Sequence, residues 1–246
     1  MENTTHFGFK QVATNDKQSL VRDVFNSVAG KYDLMNDILS FGTHRLWKHY
    51  AITSGNIKMG DKVLDIAGGT GDLTMEFTRQ VGDNGQVILS DINTTMLHEG
   101  RKKLTNKGIF GVEFIQLNAQ YLPFKNNTFD CVSIAFGLRN VTNQDQALEE
   151  MYRILKPSGC LLILEFSTTN SVLLKKIYDF YSFKIIPKLG DIIANDKTSY
   201  QYLAESIRKH PNQKTLKNMV LNAGFDFCEY HNLSSGIVAL HKGVKV

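Results

Sequence analysis

At 246 residues the chain has the length of a single α/β domain with one full hydrophobic core. Its formal charge of +4 is mild and its Lys and Arg residues are dispersed, which argues against a protein that holds nucleic acid on a basic face. No apolar run approaches the roughly 20 residues needed to cross a bilayer, and the opening MENTTHFGFK lacks a basic start followed by a long apolar stretch, so a cytoplasmic protein without a membrane span or secretory signal is expected.

Residues 1–60 carry helical patterns around 17–28 and 44–52, with a turn-rich stretch between them at 30–42, and are expected to form a lid. From residue 61 short apolar runs alternate with helical stretches. Strands are expected at 63–67, 87–91, 112–117, 131–136 and 161–166, each apolar enough to be buried on both faces, as a parallel sheet requires. Helices are expected between them at 72–81, 93–106 and 144–155, giving the alternation of a doubly wound α/β sheet with right-handed crossovers. Cys131, Cys160 and Cys228 lie far apart within apolar runs and read as core residues rather than ligands or nucleophiles.

After this core at 61–169, a cap is expected over 170–223, with helices at 171–186 and 199–208. The closing segment, 224–246, alternates as a terminal strand pair with Ser234, Ser235 and Gly236 as its turn. The expectation is one domain: a Rossmann-like, seven-stranded, mostly parallel sheet with a helical lid and a helical cap.

The segment VLDIAGGTGD at 63–72 ends a buried strand and opens a helix, where open α/β sheets bind ligands. A diphosphate there would rest on the helix N-terminus, and the carboxylate of Asp72 would compete with it. The third glycine of a dinucleotide fingerprint is also absent, since that position is Thr74. S-adenosylmethionine (SAM) carries no phosphate, and its amino group suits Asp65 at the strand end, directly or through a water, so SAM is the expected cofactor, cradled at Gly69 and Gly71. An acidic first-turn residue favourable to the helix dipole explains Asp72 equally well, and either reading disfavours a diphosphate. Asp91 ends the second core strand twenty residues after Gly71, the place for an acid that accepts from ribose hydroxyls, with Ile92 beside it. Asn118 and Ala119 follow the third strand and suit either the adenine edge or an Asx-turn.

Together these positions resemble the class I SAM-dependent methyltransferases. The strings FNSVAGKYDLMND at 25–37, FGTHRLWK at 41–48, FGLRNV at 136–141 and SYQYLAESIR at 199–208 narrow the resemblance to the ubiquinone/menaquinone biosynthesis C-methyltransferases, and THFGF at 5–9 resembles the bacterial bifunctional form. The resemblance runs end to end. It implies methyl transfer to a ring carbon of a polyprenylated hydroquinone, with demethylmenaquinol and 2-methoxy-6-polyprenyl-1,4-benzoquinol as substrates and with other quinone-biosynthesis enzymes as partners. It also implies SAM contacts at Thr70, Asp91, Asn118 and Ala119, with Tyr32 closing over the cofactor. Ala67 replaces the first glycine of the general loop pattern, and Ala135 stands where the family has Ser, so a contact at Ala135 runs through its backbone.

Arg139 follows the fourth core strand, at the sheet edge that meets the cofactor. Being always protonated, it is no general base, but it suits stabilisation of a developing phenolate or polarisation of a bound water, with Asn140 orienting the ring. A structural salt bridge is the competing explanation for Arg139. Tyr200, Tyr202 and His210 are weaker candidates for contacts to the quinol hydroxyls. No histidine spacing suggests a metal, and none is expected. In the stretch 173–189, Lys175, Lys176, Lys184 and Lys188 interleave with aliphatic and aromatic residues, which suits a groove for the isoprenoid tail, a peripheral contact with an anionic membrane face, or a helix packed on the sheet. The core motifs alone also admit a methyltransferase of another small molecule or of RNA, or a non-catalytic SAM-binding module. No Asn-Pro-Pro-Tyr string and no cysteine following a proline is present, which argues against the RNA version.

Overall fold

The computed structural model describes residues 4–169 and 171–246. Its main sheet has seven strands: β3 (Lys62–Ile66), β4 (Gln86–Asp91), β5 (Glu113–Gln116), β6 (Phe129–Ala135), β7 (Leu155–Phe166), β8 (Phe227–Leu233) and β9 (Val238–Val244). Their order is β5-β4-β3-β6-β7-β9-β8. The first five run parallel, and the closing hairpin joins antiparallel through β9. The expected mostly parallel, seven-stranded sheet is therefore observed. The chain leaves β3 towards β4 on one side and returns to β6 on the other, so β3 and β6 flank the switch point at which such sheets bind ligands.

Alternation along each central strand explains the two-sided burial. Leu64 and Ile66 face one apolar layer with Leu148, Met151 and Val220 of helices α6 (Gln144–Ile154) and α10 (Gln213–Asn222). Val63 faces the other with Trp47 and Ile52 of α3 (Thr43–Ser54) and Phe77 of α4 (Asp72–Val81). Helix α5 (Thr94–Asn106) opens on Asn93, whose side-chain oxygen accepts from the backbone N–H groups of Thr95 and Met96 at 2.8 and 3.1 Å. All three cysteines are buried and free, with Cys131 and Cys160 opposite each other across β6 and β7. The terminal turn is where it was expected, and Ser234, Ser235 and Gly236 are all left-handed, with φ of 46°, 56° and 88°.

Three features differ from expectation. A hairpin of β1 (Thr4–Phe7) and β2 (Lys10–Ala13) precedes the first helix, α1 (Thr14–Val28), and Phe7 stacks on Tyr202 of α9 (Lys197–Lys209) at 4.2 Å. The turn-rich stretch at 30–42 is mostly helix: one 3-10 turn at Ala29–Lys31, then α2 (Tyr32–Ser40), which ends on Phe41 and Gly42 in left-handed conformations. Its Asp and Asn residues read as turn formers because their side chains compete for nearby backbone groups; here Asp33 and Asp37 find partners on other elements instead. Finally, the helix expected at 171–186 is α7 (Val172–Phe180), which widens into a π-turn at Tyr181–Ile185 and continues as α8 (Ile186–Leu189), where Pro187 occupies the first turn. Helix α7 contains no buried residue, so it is not a cap helix packed on the sheet.

Candidate active site

The loop after β3 is built from left-handed backbone. Ala67, Gly69 and Gly71 have φ of 52°, 56° and 84°, which explains why the general pattern has glycine at residue 67. Phe136, after β6, is also left-handed at φ 55°, and the next residue must be glycine: a Cβ on Gly137 would lie 2.6 Å from the Ala67 methyl. Two non-glycine residues held in this region at adjoining strand ends mark the carboxyl edge of β3 and β6 as the strained part of the fold.

A cavity of about 90 Å³ opens above that edge. Its walls include Gly69, Asp91, Ile92, Asn118, Ala119, Ala135 and Asn140, and α1 and Tyr32 roof it. Asp91 accepts from the backbone N–H groups of Gly69 at 3.1 Å and Asn93 at 2.9 Å, which fixes its carboxylate on the wall with lone pairs to spare. Burial pushes its pKa up to about 6. The Asn118 side-chain oxygen accepts from Gln120 N at 3.0 Å, the Asx-turn form, while the residue stays on the wall. Asp65 lies beneath the loop and off the wall. It accepts from Ser133 Oγ and Thr74 Oγ1, both at 2.6 Å, and burial raises it to about 6. It supports the loop from below, and Gly71 likewise lies off the wall.

Asp72 does not face this cavity. Lys48 of α3 and Lys103 of α5 donate to its two oxygens at 2.6 and 2.5 Å. Burial alone would raise its pKa, but the two ammonium groups outweigh that and hold it well below the usual carboxylate range. Lys103 also donates to Asp33 of α2 at 2.5 Å, and Asp33 accepts from Thr70 Oγ1 at 2.7 Å. A four-member ion chain, Lys48–Asp72–Lys103–Asp33, thus latches the lid to the glycine loop. The Asp72 carboxylate is thus spent on two lysines and stands off the wall of the cavity. An acid on the wall, an adjacent amide and a glycine cradle fit the ribose and base of SAM.

A second, mostly apolar cavity of about 130 Å³ adjoins the first, sharing Phe25, Tyr32 and Phe136 as walls. Lid residues such as Leu39 and Trp47 enclose it from one side, and Tyr178, Tyr181, Ile186 and Tyr200 from the other. Arg139 lies on its wall, and its Nη1 pairs with Glu165 Oε1 at 2.9 Å, the two side chains being 6% and 1% exposed. The guanidinium also donates to Phe136 O, and its Nε is buried without a partner among the described residues. The salt bridge is therefore present, and Arg139 is a cavity residue as well. Asn140 accepts from Tyr202 Oη at 2.9 Å, and burial pushes the Tyr202 phenol up to about 12. His210 is buried but borders neither cavity. His44 and Lys48 border the second cavity and were not singled out from the sequence. His44 pairs with Asp37 across the α2–α3 turn, a contact that residue spacing does not display.

A sequence model described as the ubiE/COQ5 methyltransferase family matches residues 11–245. The chain is 60% identical over 245 residues to the ubiquinone/menaquinone biosynthesis C-methyltransferase UbiE of Pasteurella multocida, covering 99% of this chain and 91% of that protein. It is 61% identical to the protein of the same name from Psychromonas ingrahamii, covering 99% and 98%. Among solved structures, a SAM-dependent methyltransferase from Aquifex aeolicus superposes with a TM-score of 0.62 at 16% identity, over 86% of this chain and 97% of that one. A Thermotoga maritima SAM-dependent methyltransferase, described as a possible histamine N-methyltransferase, gives 0.64 at 18% identity over 91% and 99%. These structures share the fold.

Proposed function

The chain belongs to the ubiE/COQ5 methyltransferase family, and from that premise we propose that it is the SAM-dependent C-methyltransferase that methylates a polyprenylated hydroquinone ring in ubiquinone and menaquinone biosynthesis. Demethylmenaquinol and 2-methoxy-6-polyprenyl-1,4-benzoquinol are the substrates this reading assigns. The observation that carries it is the pair of adjoining cavities, one with an acid and an amide at the sheet edge, the other apolar and aromatic, separated only by Phe25, Tyr32 and Phe136.

When bound, SAM supplies an activated methyl group on a sulfonium leaving group. Asp91 holds the ribose, Asn118 and Ala119 the base, Gly69 and Ile92 the backbone contacts, and Tyr32 covers the site. Ring carbon becomes nucleophilic when a quinol hydroxyl loses its proton, so the second cavity must favour the phenolate and exclude water. Arg139 and Lys48 are cations on that wall, and Lys48 is already paired with Asp72. The pairing of Arg139 with Glu165 fixes the guanidinium while leaving Nε to meet a ring oxygen or a bound water. Asn140, held by Tyr202, orients the ring from the boundary between the cavities.

The membrane-facing part of the proposal rests on α7. Val172, Leu173, Ile177 and Phe180 are all exposed, and Lys175 and Lys176 lie between them, an arrangement that suits contact with an anionic bilayer holding a long isoprenoid tail. No helix among the described residues is long and apolar enough to cross a membrane.

Incubating the purified protein with labelled SAM and short-chain demethylmenaquinol kept reduced tests the assignment. Menaquinol carrying the labelled methyl is expected. SAM binding without transfer to any quinol overturns the reading in favour of a non-catalytic SAM-binding module.

A further inference from the structure

His44 opens onto the substrate cavity from the first turn of α3, with its side chain 9% exposed. Its Nε2 lies 2.8 Å from Asp37 Oδ1, and Asp37 is itself held by Arg45, whose Nε and Nη2 donate at 2.9 and 2.6 Å. The Arg45 and His44 hydrogen bonds keep Asp37 below the ordinary carboxylate range, so it is ionised and can only accept. Nε2 must then carry the imidazole hydrogen. The other nitrogen, Nδ1, keeps its lone pair, is buried, and has no partner among the described residues. An orphaned buried acceptor, in a ring that borders a cavity, is costly unless a group seated in the cavity comes to donate to it.

Resting on the quinol methyltransferase reading, we propose that His44 is the general base of the reaction, with Nδ1 accepting the proton of the quinol hydroxyl, and that Asp37 is its positioning residue. The O–H bond breaks with its electron pair left on oxygen, and the proton forms the N–H bond at Nδ1. That proton leaves to water as the one proton released when a cation gives its methyl to a neutral ring, and the ring hydrogen moves to oxygen as aromaticity returns. Arg139, across the same cavity, cannot accept a proton, so the two residues divide the work: His44 removes the proton and Arg139 steadies the resulting charge.

The groups that bear on the titration of His44 are Asp37 of α2, Lys48 on its own helix and Asp72 of α4; Arg45 holds Asp37, and Arg139, Tyr178 and Tyr181 line the same cavity. Burial lowers its pKa more than Asp37 raises it, so the ring is neutral at pH 7 and competent as a base. At saturating SAM, kcat is expected to fall as pH drops below the ordinary histidine range.

The test compares wild type with His44→Gln and Asp37→Asn in the full chain. Binding of a redox-inert quinol analogue is read from the fluorescence of Trp47, the only tryptophan, which shares the cavity wall. His44→Gln is expected to lower kcat about 100-fold or more, the usual scale for a lost general base, with analogue binding changed little and the acid limb of kcat gone. The loss should shrink for quinols whose hydroxyl is made more acidic by an electron-withdrawing ring substituent. Asp37→Asn should give a smaller loss. The ligand-free wild type needs no variant: ¹⁵N NMR should show His44 as the Nε2–H tautomer. An Nδ1–H tautomer, a His44→Gln kcat within about threefold of wild type, or a loss equal for acidic and ordinary quinols overturns the base. A wild type with no quinol turnover would instead defeat the functional reading itself.

Discussion

Arg139 and Glu165 form a buried ion pair whose members touch both stability and chemistry. Removing one partner strands the other: Glu165 is 1% exposed, and a carboxylate left unpaired at such a depth costs about 3–5 kcal/mol. Arg139→Ala is therefore expected to lose stability on that scale together with turnover, which by itself cannot separate the roles. The paired replacement Arg139→Met with Glu165→Leu separates them. Denaturant unfolding should show most of the stability regained, because replacing a buried pair by apolar groups is often neutral, while turnover stays lost. A double variant that turns over quinol at near wild-type rate would reduce Arg139 to a structural residue. The residues themselves announced much of this. The place of Asp91 on a cavity wall was legible from its distance to the glycines, and that of Arg139 on the adjoining wall from its position after a core strand. Asp65 was not legible, because a strand-end acid reads the same whether it faces a ligand or, as here, two hydroxyls beneath the loop.

Among the elements, the lid helix α2 packs Met35 into an apolar cluster with Val28, Ile186 and Tyr200 and is tied to the glycine loop by charge. Asp72 accepts from lysines of two different helices, and Lys103 passes the connection to Asp33. Asp72→Asn keeps the shape but removes the charge between two ammonium groups. It is expected to cost about 1.5–3 kcal/mol, the range for hydrogen bonds to charged groups. Limited proteolysis should then cut faster within residues 29–43, and SAM should bind more weakly because Tyr32 is no longer held over the site. Unchanged cleavage and affinity would show that the latch does not hold the lid. Sequence patterns conveyed the sheet strands and their helices well, since two-sided burial and helical periodicity are local signals. They misplaced α2, because its polar residues favour turns until partners on α3 and α5 are supplied.

Across the whole molecule, the lid and the π-turned cap enclose one apolar cavity from two sides: Tyr181 donates to Leu39 O at 3.0 Å and Lys31 to Ile193 O at 2.7 Å. Exposed Phe41 of the lid lies against Tyr181, which puts apolar surface at the seam through which a tail would enter. The wild type is expected to float with vesicles containing acidic lipids, less so with neutral ones. Leu173→Ser with Phe180→Ser should abolish flotation without reducing turnover of a short-chain quinol, and flotation that survives those changes would remove α7 from the contact. What the sequence determined by itself follows from signals carried by adjacent residues: a parallel sheet from apolar runs, a ligand edge from left-handed glycines, and SAM over a dinucleotide from an acid at a helix start. Only the tertiary structure decided what those residues face. It turned Asp65 under the loop, spent Asp72 on two lysines, and brought His44 beside Asp37 on a cavity wall, because burial and pairing depend on groups far apart in the chain, which no local pattern records.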